Sequence, residues 1–554
     1  MQAVLKNIFD FCELQSNSSA GNEATKGAFW REKRKSIVKM YAIRVVNYKN
    51  NCYNEIMLTD AFPKLKDTKA VALIRAFIRS PWYLVLVVTL MACAELFSLE
   101  LPVFYFYFVL IVVAVLFDED LLGVFVLVPC HYLAISAPNN PGKHAVTLFS
   151  TPERMVHLVI LISVYAVLLS ARLLSLLLKG GKRQPPELTF GIVFFAIALI
   201  LGGAFSGYWG KRTIVFGLVE ALSLFAIYFF FYYAVNWKEL PKHYGMMLFV
   251  ALGVGVLAEV VGMYFNSGAV IGTFINRAAF YTGWGIHNNV GCVMAMCMPA
   301  PFYLAIKKKE GWAFAIVGTL FYLGVMLSQS RGAMLFGTLI FLVCIVLMLV
   351  LSKGFERIKS AIVFGAFALV VLVTGLVLRE RVLVLFRAIR EAGFDDSLRF
   401  DTYRACWARF LEAPWFGSGF YHTPGTVLQN NGMWTTMEGA GETGFLPPRA
   451  HNTLFQLLAS GGVFMVLAYL VHRIQTLILF FRHPSAEKTF VFLCVLALLL
   501  TSLLDCHLFN FGPGLLYASL LAIAQGNNLK NEKRSIPTLK ELLKKRKRKE
   551  GAQK

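Results

Sequence analysis

The sequence predicts an all-α polytopic membrane protein of about twelve to fourteen transmembrane helices, and three observations carry that reading. Hydrophobic residues make up 57% of the 554, with 48 phenylalanines and a mean hydropathy of +0.61, well above the composition of a soluble domain. Charged residues are only 16%, and they are bunched into loops and tails instead of being spread over a surface. Apolar runs close to the roughly twenty residues that cross a hydrocarbon core recur along the chain.

In order, those runs fall at about 82–99, 103–117, 120–137, 153–178, 187–206, 213–235, 245–264, 288–306, 312–329, 333–352, 360–378, 452–471, 489–507 and 510–525. The second and last are short, which gives the count its range. Residues 1–81 form a basic leader, too long and too late in apolarity for a cleaved secretory signal, so the first span is expected to start translocation itself. Within the leader, Ala70 to Arg79 is amphipathic and is expected to lie in the membrane interface.

Positive charge fixes the expected orientation. With the N-terminus inside, 39 of the 54 Lys and Arg fall in the leader, the tail at 526–554 and alternate short loops, against one acidic turn at Asp118-Glu119-Asp120. Both termini are therefore expected in the cytoplasm. The net charge of +22 reads as a topogenic and anionic-lipid signal, with membrane lipid and not nucleic acid as its partner. The ten cysteines have no C-x-x-C pair, so neither a metal site nor a disulfide is expected, and no cofactor.

The outward side differs in chemistry. Between the eleventh and twelfth spans, 379–450 is a large extracytoplasmic loop with eight Arg and no Lys. A guanidinium fork binds phosphate bidentately, where an ammonium is a point charge. The loop shows helical spacing at Arg381–Glu391, expected along the membrane surface, and around Asp401–Leu411, which ends before Pro414 and the Gly417-Ser418-Gly419 turn. Glu95, His131, His157, Glu220, Glu259 and Asp505 fall in the outer halves of their runs, as lining of a cavity open to the outside would. The expected organisation is thus leader 1–81, bundle 82–378, loop 379–450, C-terminal helices 451–525 and basic tail 526–554.

Four motifs lie on the outward side, in order. They are Arg277, Gly283 and His287-Asn288-Asn289; Ser328-Gln329-Ser330-Arg331-Gly332-Ala333; Arg399-Phe400-Asp401-Thr402-Tyr403 with Pro414-Trp415-Phe416-Gly417-Ser418-Gly419-Phe420; and His451-Asn452-Thr453 running on to Gly461-Gly462. Together they resemble the O-antigen ligase and polymerase superfamily over about 250–510, although Tyr403 stands where that family usually has Trp and Met465 where it has a small residue or Tyr. The resemblance implies a GT-C-like fold and a metal-independent glycosyltransferase at the outer face of the bacterial cytoplasmic membrane. The implied donor is an undecaprenyl-diphosphate-linked glycan, and the implied acceptor a glycan or lipid-glycan. It further implies that Arg277, Arg331 and Arg399 bind the diphosphate and that His451 takes the acceptor's proton, with Arg449, Arg404 and Asn452 in support. Elementary chemistry agrees, since a departing diphosphate needs cations and a hydroxyl needs a base of near-neutral pKa. Plainer readings stay open: an outward Arg pairs with the acids of its own loop, and a His at a helix start is a cap. Ligase, polymerase and protein O-glycosyltransferase would share these motifs. The alternative of another class is a lipid-linked glycan flippase or other multi-pass transporter, against which stands the lack of repeated halves.

Overall fold

The computed structural model describes residues 68–97, 99–118, 120–136, 152–179, 185–266, 281–282, 284–377, 379, 398–428, 434–438 and 449–531. The rest of the leader, Arg277, the Arg381–Glu391 stretch and the end of the tail lie outside the described residues, as do the side chains of Glu95, His131 and His157.

Each of the fourteen apolar runs is a helix. After α1 (Lys69–Ile78) come α2 (Pro81–Leu96), α3 (Glu100–Phe117), α4 (Leu122–Ser136), α5 (Pro152–Lys179) and α6 (Thr189–Leu201). α7 (Lys211–Ala234) contains a π-turn at Leu222–Ala226, and α8 (Tyr244–Asn266) precedes a two-residue hairpin of β1 (Tyr281–Thr282) and β2 (Gly285–Ile286). Then follow α9 (His287–Lys307), α10 (Gly311–Leu327), α11 (Arg331–Leu351) and α12 (Gly354–Val377). The long loop holds α13 (Arg399–Glu412) and an antiparallel hairpin, β3 (Pro424–Leu428) with β4 (Trp434–Glu438). α14 (Thr453–Phe481), α15 (Ala486–Thr501) and α16 (Phe511–Asn531) complete the described chain. Among the described residues six helices are long and apolar enough to cross a membrane, and α1 with α2, bent by 66°, would make a seventh. Four more apolar helices are shorter. Helix length alone therefore carries fewer crossings than the sequence reading, while the all-α class holds, with two short hairpins in its loops.

Recorded polar contacts sort the loops into two sets. In the first, Arg79 pairs with Asp118 and Asp120 at 3.5 and 3.3 Å, and Arg172 donates to the Asp118 carbonyl at 2.7 Å. Asp120 accepts from the Asn236 N–H, Glu187 meets Arg482 and Asn528, and His243 reaches Tyr303, which donates to Glu487. In the second set, 203–212 bonds to 412–421, Asn288 and Asn289 bond to 505–510, and Thr453 bonds to Ser502. The sets are the same two groups that positive charge separates, and the acidic turn that seemed out of place is neutralised by Arg79 and bound by Arg172.

α14 is broken where its sequence has Gly461-Gly462. Gly462 has φ 60° and ψ −157°, which removes the helical bonds that the Ala459 and Ser460 carbonyls would accept from the N–H groups of Val463 and Phe464. Buried backbone groups need partners. Ser418 and Gly419 donate to the two carbonyls at 2.9 and 2.7 Å, and Val463 and Phe464 donate to Pro414 and Trp415 at 2.8 and 3.1 Å. The turn after Pro414 thus docks its backbone into the opened helix. A Cβ at Gly417 would strike the Gly461 nitrogen, and one at Gly462 the Pro414 carbonyl, so both positions require glycine. Past the break α14 runs on to Phe481, so Arg473, expected in a loop, lies within the helix. Its guanidinium sits over Tyr469 and Tyr517 at 4.4 and 5.0 Å, a cation–π setting that offsets the cost of a charge at that depth.

Candidate functional site

The second set of loops converges on His451, the residue just before the cap of α14. Asn452 caps that helix, its Oδ1 accepting from Leu454 and Phe455, while its Nδ2 donates to the Leu503 carbonyl at 2.8 Å. His451 itself has φ +53°, a left-handed conformation that costs a non-glycine residue on the order of 1 kcal/mol and persists only where its surroundings fix it. They do so from three sides. Tyr403 of α13 donates its hydroxyl to the His451 carbonyl at 3.1 Å and stacks on Phe455, the Ala450 N–H is held by Gln456 Oε1 at 3.0 Å, and Asn452 is tied to Leu503.

The imidazole meets a carboxylate. His451 Nδ1 lies 3.3 Å from Asp505 Oδ1, in the connection between α15 and α16. Asp505 also accepts from the Cys506 N–H at 2.7 Å and from Asn288 Nδ2 at 2.9 Å. Burial pushes this carboxyl up. The rings of His451 and His507, the His451 hydrogen bond and the Cys506 N–H outweigh burial and hold it well below the usual carboxylate range. His507 is lowered, first by burial, with Asp505 opposing. Its Nδ1 reaches Asn289 Oδ1 at 3.1 Å, an oxygen that also accepts from Asn510. At neutral pH the site thus holds an ionised Asp505 beside a neutral His507. In the neutral imidazole a carboxylate on Nδ1 selects the tautomer protonated there, which leaves Nε2 as the acceptor. The His451 side chain is 23% exposed.

Of the arginines singled out in the sequence, two open helices that border this pair. Arg331 opens α11 after the Ser330 cap, and the next residue, Gly332, lies against Leu504, the neighbour of Asp505. Arg399 opens α13, and its charge acts on both Tyr403 and His507. Arg404 is 83% exposed and pairs with Asp401 at 3.3 Å. Arg449 pairs with Glu220 at 2.5 Å and donates to the Phe509 carbonyl, so its recorded partners are protein groups and not the His451 ring. Arg277 is outside the described residues. Asp505, Asn288, His507 and Glu220 were not assigned to the site from sequence. Asp505 and Glu220 were visible only as ionisable residues at membrane depth, and Asn288 only as part of a motif. Among the described residues, no three His, Cys, Asp or Glu side chains converge on a point that a metal ion could occupy.

Fold and site define a multi-pass helical membrane protein with a carboxylate-paired histidine where several helix ends meet. Residues 312–470 match the O-Antigen ligase family, so the resemblance to the O-antigen ligase and polymerase superfamily is shown for that segment, and with it membrane-embedded glycan processing of the ligase or polymerase type. The segment runs from α10 into α14 and includes Arg331, Arg399 and His451; Glu220, Asn288 and Asp505 come from outside it. No curated protein matches the chain.

Proposed function

We propose that the protein transfers or polymerises glycan from an undecaprenyl-diphosphate carrier, at the outer face of a bacterial cytoplasmic membrane, with both termini inside. The observation that carries this reading is the His451–Asp505 pair flanked by the starts of α11 and α13. His451 Nε2 accepts the proton of the acceptor hydroxyl as its oxygen attacks the anomeric carbon. The bond to the diphosphate breaks in the same displacement, with inversion, and the electron pair leaves on the diphosphate oxygen. Arg331 and Arg399, with Arg277, neutralise that charge, in the role a metal takes elsewhere. Asp505 stabilises the imidazolium, and Tyr403 and Asn452 keep the ring in place. The shorter helices cross the membrane with the longer ones, each joining one loop set to the other.

Surface-polysaccharide profiles of a deletion strain, complemented with wild type, His451→Ala, Arg331→Ala or Arg277→Ala at matched membrane expression, test the reading. Loss of long glycan in all three, with normal folding, supports it. Single repeat units held on the carrier would then indicate polymerase, and full-length unligated chains ligase. Full restoration by all three would favour the flippase or transporter reading.

A further inference from the structure

Among the described residues Arg449 and Glu220 form the most buried ion pair of the second loop set. Side-chain exposures are 17% and 8%, at 2.5 Å. Glu220 lies on α7, two residues before the helix opens into the π-turn Leu222–Ala226, a local widening that often marks functional positions. Arg449 stands two residues before His451. Besides Glu220 it bonds the Phe509 carbonyl at 3.2 Å, and its guanidinium lies 5.8 Å from the Phe420 ring centre. One side chain thus ties α7, the turn after Gly419 and the 507–509 turn to the peptide that enters the left-handed His451. Phe509 belongs to the same turn as His507, and Phe420 packs on Phe509 at 5.0 Å.

We propose that Glu220 is a positioning residue: its ion pair with Arg449 holds the 449–451 backbone so that the His451 ring stays on Asp505. This deepens the transfer reading above and rests on it. It gives Arg449 a role other than phosphate binding, because its charge is balanced by a carboxylate of this chain. It also gives α7, which lies outside the family-matched segment, a part in the site. A planar fork meets Glu220 and the Phe509 carbonyl through one nitrogen while resting near Phe420; an ammonium on a flexible stem does not reproduce that arrangement.

The test uses full-length protein in vesicles with an undecaprenyl-diphosphate-linked repeat unit prepared from the host's own membranes, and reads turnover alongside amide hydrogen exchange. In Glu220→Ala, amides of residues 450–455 are expected to exchange at least about tenfold faster. Turnover per folded molecule should fall by roughly ten- to a hundredfold, with donor KM changed less than about threefold, because the defect is in placement of the base and not in donor binding. Arg449→Lys should fall with it, and the reversed pair Glu220→Arg with Arg449→Glu should recover exchange and turnover to within about threefold. Glu220→Gln, which keeps shape and an acceptor, serves where the alanine variant yields little folded protein, and is expected to lose less. Unchanged exchange at 450–455 in the Glu220 variants overturns the proposal. Faster exchange with full turnover, while His451→Ala is inactive, also overturns it and leaves Glu220 as a brace. Should His451→Ala prove fully active, the transfer reading fails, and the exchange data with the reversed pair still decide whether the pair holds this segment.

Discussion

At the end of the bundle that carries Asp118 and Asp120, carboxylates meet arginines: Arg79 on both acids, with Arg172 on the adjoining carbonyl. At the other end Asp505 meets the Nδ1 of a histidine that is partly exposed. The first arrangement satisfies a tight turn and joins α1 to α3 and α5. The second holds an ionised group against a ring that can still take up a proton. Like chemistry is used once to close a structure and once to leave a reactive atom available. The difference lies in the partner, since a guanidinium keeps its protons and an imidazole does not.

Exchanging the fates of the two ends would break that contrast. His451→Ala is expected to cost roughly 10²- to 10⁴-fold in glycan transfer, as removal of a general base does, with little change in thermal stability; a variant that melts early without a specific loss of turnover would make His451 a structural cap. Asp118→Ala should do the opposite. It removes one of the two carboxylates on Arg79, Asp120 staying at 3.3 Å, and should cost about 1–3 kcal/mol of stability, read as a lower melting temperature in detergent, with turnover per folded molecule intact.

Acid titration sharpens the comparison. His507 has a folded-state pKa below its unfolded value, so the unfolded chain binds more protons just below the ordinary histidine range. Stability is therefore expected to fall as pH drops through about 6.5, and His507→Asn should flatten that limb. Asp505 is depressed below its unfolded value, so its contribution is fully present above the ordinary carboxylate range and fades only in stronger acid. A melting curve flat between pH 7 and 5 would contradict the His507 assignment. The smallest effect is expected at Arg404, whose exposed pair with Asp401 should be worth under about 1 kcal/mol; Arg404→Ala should leave turnover within about twofold, and a larger loss would bring this residue into the site.

Much of this was legible in the sequence because the signals are local. Twenty apolar residues in a row, Pro414 after a helical pattern, and His451-Asn452 before an apolar run each declare themselves within one window. The pairings were not legible, because nothing in the chain couples His451 to a carboxylate 54 residues later or Arg449 to one 229 residues earlier. Arg473 misled for a related reason: a cation ends an apolar run in sequence, but two tyrosines from different helices let α14 continue past it. The β3–β4 hairpin sits in a polar loop without the alternation that announces strands.

The opened turn at Gly462 has a consequence for biogenesis. Gly203, at the end of α6, donates its N–H to Phe416, and the carbonyls of Ala459 and Ser460 await Ser418 and Gly419. A ribosome adding roughly 5–20 residues per second reaches Phe416 some ten to forty seconds after Gly203. Through that interval the end of α6 has left the ribosome while its partner turn does not yet exist. That segment finds its other partner only when α14 arrives. Maturation of this face is therefore a late step that joins early and late segments of the chain. A nascent chain halted before residue 414 would have most of its apolar helices but none of the groups that close the break.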